Sequence, residues 1–206
     1  MSRQRERLLE AACGLVAAGD WAGLRMAHVA AAAGVSRQTA YNEFGSKAEL
    51  GRAIVEQEIA RLLTDLRQEM DATSGGDPVA AVGVAVCGTL TRAEADPLLR
   101  SILIGARLGD SLVSHVTSGR APILPAAIEV LRAYADERWP EVDAEAKDVL
   151  IETVLRALIS HVLLPLATPA QTADRFARLA ARVLASEPLP RVDTMPPRSY
   201  QRPTKA

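Results

Sequence analysis

Residues 30–44 read AAAAGVSRQTAYNEF, and the reading of this stretch decides the fold. Alanines end one helical pattern, and Gly34 fits the left-handed position that a tight helix–helix turn needs. Val35 plugs the turn into an apolar core, and Ser36 is placed to cap the next helix. That helix, 37–44, is short and two-sided. Ala40 and Phe44 face in, while Arg37, Gln38, Thr39 and Asn42 point outward. A helix, a glycine turn and a capped second helix with outward polar groups is the geometry that lays a helix in the major groove of DNA. An ordinary helical corner with a solvated face is the plain alternative, because glycine-turned helix pairs are common.

Working outward, residues 4–18 place Leu8, Leu9, Ala12, Leu15 and Val16 on one face at helical spacing. Gly19 supplies the stop, and Trp21 and Leu24 extend the small core. Residues 26–33 form a second helix, nearly all alanine around Val29. After Gly45, Ser46 and Glu49 have the spacing of a capping box. A longer helix over 46–72 carries the seam Val55, Ile59, Leu62, Leu66 and Met70, and Gly75-Gly76-Asp77-Pro78 breaks it. Beyond it the pattern predicts helices over 78–91, 97–109, from Pro122 or Pro125 to Trp139, 143–163 and 169–185.

Composition agrees with an all-α fold. The chain has 206 residues, 49% hydrophobic but only 3% aromatic, and 37 of them are alanine. Ala and Leu at this density favour helix over sheet. Cys13 and Cys87 form no pattern that implies a disulfide scaffold or a cysteine zinc site. No apolar run reaches the length of a membrane span, and the first residues carry no signal-peptide core. A cytoplasmic protein without membrane, metal or cofactor is the expectation. Residues 1–50 hold six Lys+Arg against five Asp+Glu. A nucleic-acid face must therefore be local. Residues 187–206 contain five of the twelve prolines and few apolar side chains, so a flexible tail is expected there. No glycine-rich phosphate loop, H-E-x-x-H or nucleophile elbow is present, which argues against an enzyme.

The segment 5–50 resembles the N-terminal DNA-binding domain of TetR-family transcriptional regulators. The residues that carry the resemblance are Leu8, Ala12, Leu15, Gly19, the run VAAAAGVS at 29–36, Tyr41, Phe44, Ser46-Lys47 and Leu50. The sequence departs from the family pattern at Leu24-Arg25, where Thr or Ser usually starts helix two. It departs also at Ala40, which replaces a larger aliphatic, and at Glu43, which replaces a common His. An acidic Glu43 repels phosphate, so its side chain is expected to turn away or to meet a cation.

The candidate DNA-binding residues are Arg37, Gln38, Thr39, Tyr41, Asn42, Lys47 and His28. Arg37 and Gln38 carry donors that read base edges or hold phosphates. Thr39 suits a thymine methyl or a phosphate, and Asn42 a base or a phosphate. The resemblance implies a backbone contact from the Tyr41 hydroxyl. Lys47 starts helix four, where its ammonium and free backbone N–H groups favour phosphate. For His28 a solvated surface position is the equal alternative.

By the same resemblance, residues 1–50 form a DNA-binding domain, helix four from 46 links onward, and 51–186 form an effector-binding and dimerisation domain. The expected pocket lies among residues 59–66, 84–112 and 128–160 and includes Leu62, Leu66, Val86, Leu103, Arg107, Leu108, Leu112, Leu131 and Arg156, with Asp110, His115 and His161 as further polar anchors. Many aliphatics and few aromatics favour a small hydrophobic effector. The last two helices are expected to form a homodimer interface through Val149, Thr153, Arg156, Ala157 and Ser160 of one, and Phe176, Leu179, Ala180 and Val183 of the other; closure of the monomer core is the alternative. The implied function is a repressor released from a palindromic double-stranded operator by its effector. An activator, an effector-independent regulator, or a helical ligand-binding or interaction module without specific DNA binding are the other readings.

Overall fold

The computed structural model describes residues 2–18, 21, 23–104 and 123–185. Nine helices and no strand form among them: α1 Arg3–Ala18, α2 Met26–Ala32, α3 Arg37–Phe44, α4 Lys47–Thr73, α5 Pro78–Ala95, α6 Pro97–Ile104, α7 Ile123–Arg138, α8 Ala144–Leu163 and α9 Pro169–Ala185. The all-α expectation holds, and the helix bounds differ from the sequence reading by a few residues, while the expected end of 97–109 and the Pro122 start lie outside the described residues. Gly19, Arg107, Leu108, Asp110, Leu112, His115 and the 187–206 tail lie outside the described residues.

Local chemistry places the helix ends. Ser36 Oγ accepts from the Thr39 N–H at 3.0 Å, and Ser46 Oγ accepts from the Glu49 N–H at 3.1 Å. Asp77 takes the Val79 and Ala80 N–H groups ahead of Pro78, and Asp143 takes the Ala146 N–H. Each acceptor satisfies a donor that has no partner inside its helix. Gly34 and Gly45 have φ of 64° and 70°, the left-handed backbone that side chains with a Cβ disfavour. The capping box at Ser46 is one-sided. Glu49 turns to Arg52 at 2.7 Å, and the Ser46 N–H donates instead to the Phe44 carbonyl. At α2, Arg25 occupies the cap position and its side chain makes no cap hydrogen bond.

The head is α1 to α3 and the first turns of α4, packed on one apolar cluster. Alanines at 12, 30, 33, 40 and 53 bring the helices close around Leu8, Val29, Leu50 and Ile54. Leu98 and Ile102 of α6 complete that cluster. Cys13 lies at the seam of α1 and α4, where burial and then the Glu58 carboxylate push its thiol up to about 12.

In the body, α5 lies between α4 and α9. Gly88 makes the α4 contact possible. A Cβ there would stand 2.8 Å from the Arg92 guanidinium and from Leu66 Cδ2. Through that gap Arg92 reaches Glu69, with Asp65 at 4.0 Å. On the other side Val86 and Leu90 pack with Phe176 and Ala180 of α9 and with Leu150, Val154 and Leu158 of α8.

Candidate DNA interface and effector cavity

The exposed side of α3 carries Arg37, Gln38 and Asn42, opposite the buried Ala40 and Phe44. These polar side chains hold one another in place. Gln38 Nε2 donates to Asn42 Oδ1 at 2.9 Å, one helical turn away. The Arg37 guanidinium lies 5.4 Å from the centre of the Tyr41 ring. Thr39 is half-buried, and its hydroxyl is 2.8 Å from the Ser36 hydroxyl. Tyr41 is half-buried against the head core, so its ring packs while its edge reaches the surface. Lys47 stands at the first turn of α4 with its ammonium 4.7 Å from the Trp21 ring centre. That ring fixes the position of a cation beside the N-terminus of α4. His28 is exposed on α2.

Side chains of α1 brace this surface from behind. Arg7 donates to the Ala33 carbonyl at the helix turn. Arg5 lies over the Phe44 ring and donates to the Glu43 carbonyl at 2.7 Å. The Glu43 side chain turns back toward the N-terminus, where its carboxylate accepts from the Ser2 hydroxyl. The acidic departure is thereby held at the α1 side. Sequence reading missed this bracing, because spacing along one helix does not reveal a partner some forty residues earlier.

The body holds a partly open cavity of about 360 Å³ between α4, α5, α6, α7 and α8, with Leu184 of α9 also on its wall, within the usual size range of small-molecule sites. Of the expected pocket residues, Leu62, Leu66, Leu103 and Leu131 are on its wall. Two are not. Val86 has no exposed surface and packs into the α5–α8–α9 core. Arg156 is exposed on α8 and pairs with Glu152 at 2.8 Å. His161 is also off this wall, its Nδ1 close to the Ala157 carbonyl at 2.8 Å. The sequence reading covered most of this part of the wall in its range 128–160 but did not single out the stripe Ile151, Leu155, Leu158, Ile159 and Val162, which brings α8 to the wall. Its helical spacing is visible in the sequence, but so is that of the opposite face.

That opposite face of α8 is exposed at Val149, Thr153, Arg156 and Ser160, and exposure continues through Leu163, Leu164 and Leu166. Leu179 of α9 is exposed as well. Phe176 and Ala180 are not on this surface. They are buried in the chain's own core against α5, with Val183 and Ala157 half-buried beside them. The apolar face of α9 packs on α5 within the chain, which corrects the expectation for Phe176 and Ala180. Among the described residues, no group of three His, Cys, Asp or Glu is placed to hold a metal, and no helix is long and apolar enough to cross a membrane.

Comparison with known proteins bears on both regions. Residues 8–54 match the family model described as bacterial regulatory proteins, tetR family, and residues 77–182 match bacterial tetracyclin repressor, C-terminal domain. The chain is 31% identical over 175 residues to the HTH-type transcriptional regulator AlkX of Mycobacterium tuberculosis, covering 85% of this chain and 82% of that protein. It is similar in structure to the TetR family repressor AlkX from Dietzia sp., implicated in biodegradation of n-alkanes. That match has a TM-score of 0.67 and 28% identity over 86% of this chain and 96% of the other. The fatty acid degradation regulator FadR from Bacillus halodurans shares the fold at a TM-score of 0.57 and 17% identity, over 87% of this chain and 95% of that one.

Proposed function

The chain belongs to the TetR family of bacterial transcriptional regulators, and from that premise we propose that it is a repressor released from its operator by a small hydrophobic effector. Proteins of this family are DNA-binding regulators and not enzymes. In this reading residues 1–50 are the DNA head and 51–186 the effector and dimerisation body. The observation that carries it is the polar row of α3, braced on a capped helix whose other face is buried. Arg37, Gln38 and Asn42 read base edges. Tyr41 and Lys47 hold phosphates, with Thr39 and His28 as further contacts. The head is nearly neutral, so these few donors and helix N-termini replace a broad positive field.

A single short recognition helix reads too few bases, so a palindromic operator calls for a two-fold dimer. The exposed row Val149, Thr153, Arg156 and Ser160, with Leu179, supports α8 and α9 as its interface. The cavity behind the head supports the effector site.

Anisotropy titrations with a palindromic duplex from the protein's own promoter, run at several salt concentrations, test the reading. Lys47→Ala is expected to weaken binding to all sequences and to lower the salt slope by about one. Gln38→Ala and Asn42→Ala are expected to change the preferred sequence. Equal DNA affinity for the wild type and the Tyr41→Phe, Lys47→Ala double variant would refute the backbone contacts.

A further inference from the structure

The described wall of the cavity is aliphatic except for four polar side chains, Thr89, Tyr134, Trp139 and Lys147. Each already has a partner inside the protein. The Thr89 hydroxyl donates to the Ala85 carbonyl at 2.7 Å. The Tyr134 hydroxyl donates to Asp71 at 2.8 Å, and the Trp139 Nε1–H donates to the Gly76 carbonyl at 2.6 Å. Lys147 is buried, yet its ammonium lies 2.5 Å from Asp136 and 3.4 Å from the Trp139 carbonyl. Asp71, Gly76 and Asp136 are not on the wall, so three of these four interactions run away from the cavity. The donor protons of Thr89, Tyr134 and Trp139 are thus already committed, and the Lys147 ammonium already faces an anion.

We propose that the effector is an uncharged aliphatic molecule, an alkane, alkene or simple alkyl ester, held by its chain alone. The same chain ending in an ionised carboxylate is discriminated against. The argument is one of compensation. Burying a chain removes apolar surface from water and needs no directional partner. Burying a carboxylate forfeits its hydration, and that loss is recovered only with a cation and further donors. Lys147 is the single cation on the described wall, and Asp136 already neutralises it. Asp136 therefore acts as a selectivity residue from outside the cavity, keeping the one cation of the described wall paired. The inference rests on reading the cavity as the effector site.

Full-length protein is titrated with dodecane, methyl dodecanoate and dodecanoate at pH 8, below micellar concentrations. Trp139 fluorescence reports binding, and anisotropy of a labelled operator duplex reports release. The alkane and the ester are expected to bind, with dodecanoate weaker by about tenfold or more. In Asp136→Asn, which unpairs Lys147, dodecanoate is expected to recover at least about half of that gap on a logarithmic scale; circular dichroism confirms its fold. Dodecanoate binding the wild type as tightly as the ester overturns the inference and leaves the cavity as the effector site. An unchanged gap in Asp136→Asn overturns the role of the Lys147–Asp136 pair. Absence of binding by all three probes overturns the cavity reading and the inference with it. Binding of the alkane and ester without release of DNA upholds the ligand class and refutes the effector role.

Discussion

In the head, Leu8, Ala12, Val29, Ala40, Leu50 and Ile54 have no exposed surface at all, whereas the body's aliphatic walls surround about 360 Å³ of unfilled space. The residue types are the same. The difference lies chiefly in helix length, because alanines 81, 85, 127 and 135 line the cavity too. The head's second and third helices have seven and eight residues, and their alanines let backbones approach until no gap remains. The body's helices are mostly more than twice as long. Their crossings can be close, as at Gly88, and interior volume remains along the longer spans wherever Leu and Ile do not fill the space between. Apolar composition thus fixes what a region buries, and how far side chains fill the spans between crossings decides whether it closes.

Several substitutions test this contrast. Leu50→Ala opens a hole in a filled core and is expected to lower stability by about 3 kcal/mol. Leu131→Ala, on a half-buried wall that already faces space, is expected to lose less than about 1 kcal/mol. Urea denaturation compares the two, and equal losses would mean that the body is packed as tightly as the head. The reverse experiment adds volume. Ala40→Leu overpacks the head by about 1–3 kcal/mol, while Ala85→Leu, on the cavity wall, is expected to be neutral within about 0.5 kcal/mol. Ser36→Ala removes the α3 cap and is expected to lower stability by about 1 kcal/mol, with operator affinity falling alongside. Arg92→Ala, at a partly exposed α4–α5 ion pair, is expected to change the urea midpoint least, by less than about 1 kcal/mol.

The head was legible from sequence because its signals are local. Gly34, Ser36 and Gly45 each set a turn or cap within three or four residues, and the structure places α3 at 37–44 as the pattern predicts. The body was legible as helices and much less so as surfaces. The α9 stripe of Phe176 and Ala180 states that one face is buried and does not state by what; here α5 covers it. Val86 and Leu103 share the same aliphatic chemistry, yet the first fills a core and the second borders the cavity. The polar anchor expected at Arg156 was local in another sense, since Glu152 one turn away captures it. Such choices depend on neighbours distant in sequence, which periodicity does not encode.

The two α6 side chains in the head cluster bear on how far this protein can be taken apart. Leu98 and Ile102 are 6% and 2% exposed, and Ile102 also borders the cavity. A recombinant head cut after α3, or after the first turns of α4, would lose both side chains and leave an open seat beside α1. Chimeric regulators that exchange heads at that seam would inherit the mismatch. The transferable unit is discontinuous, the N-terminal helices together with α6, and a graft that carries both pieces is the one that preserves the core.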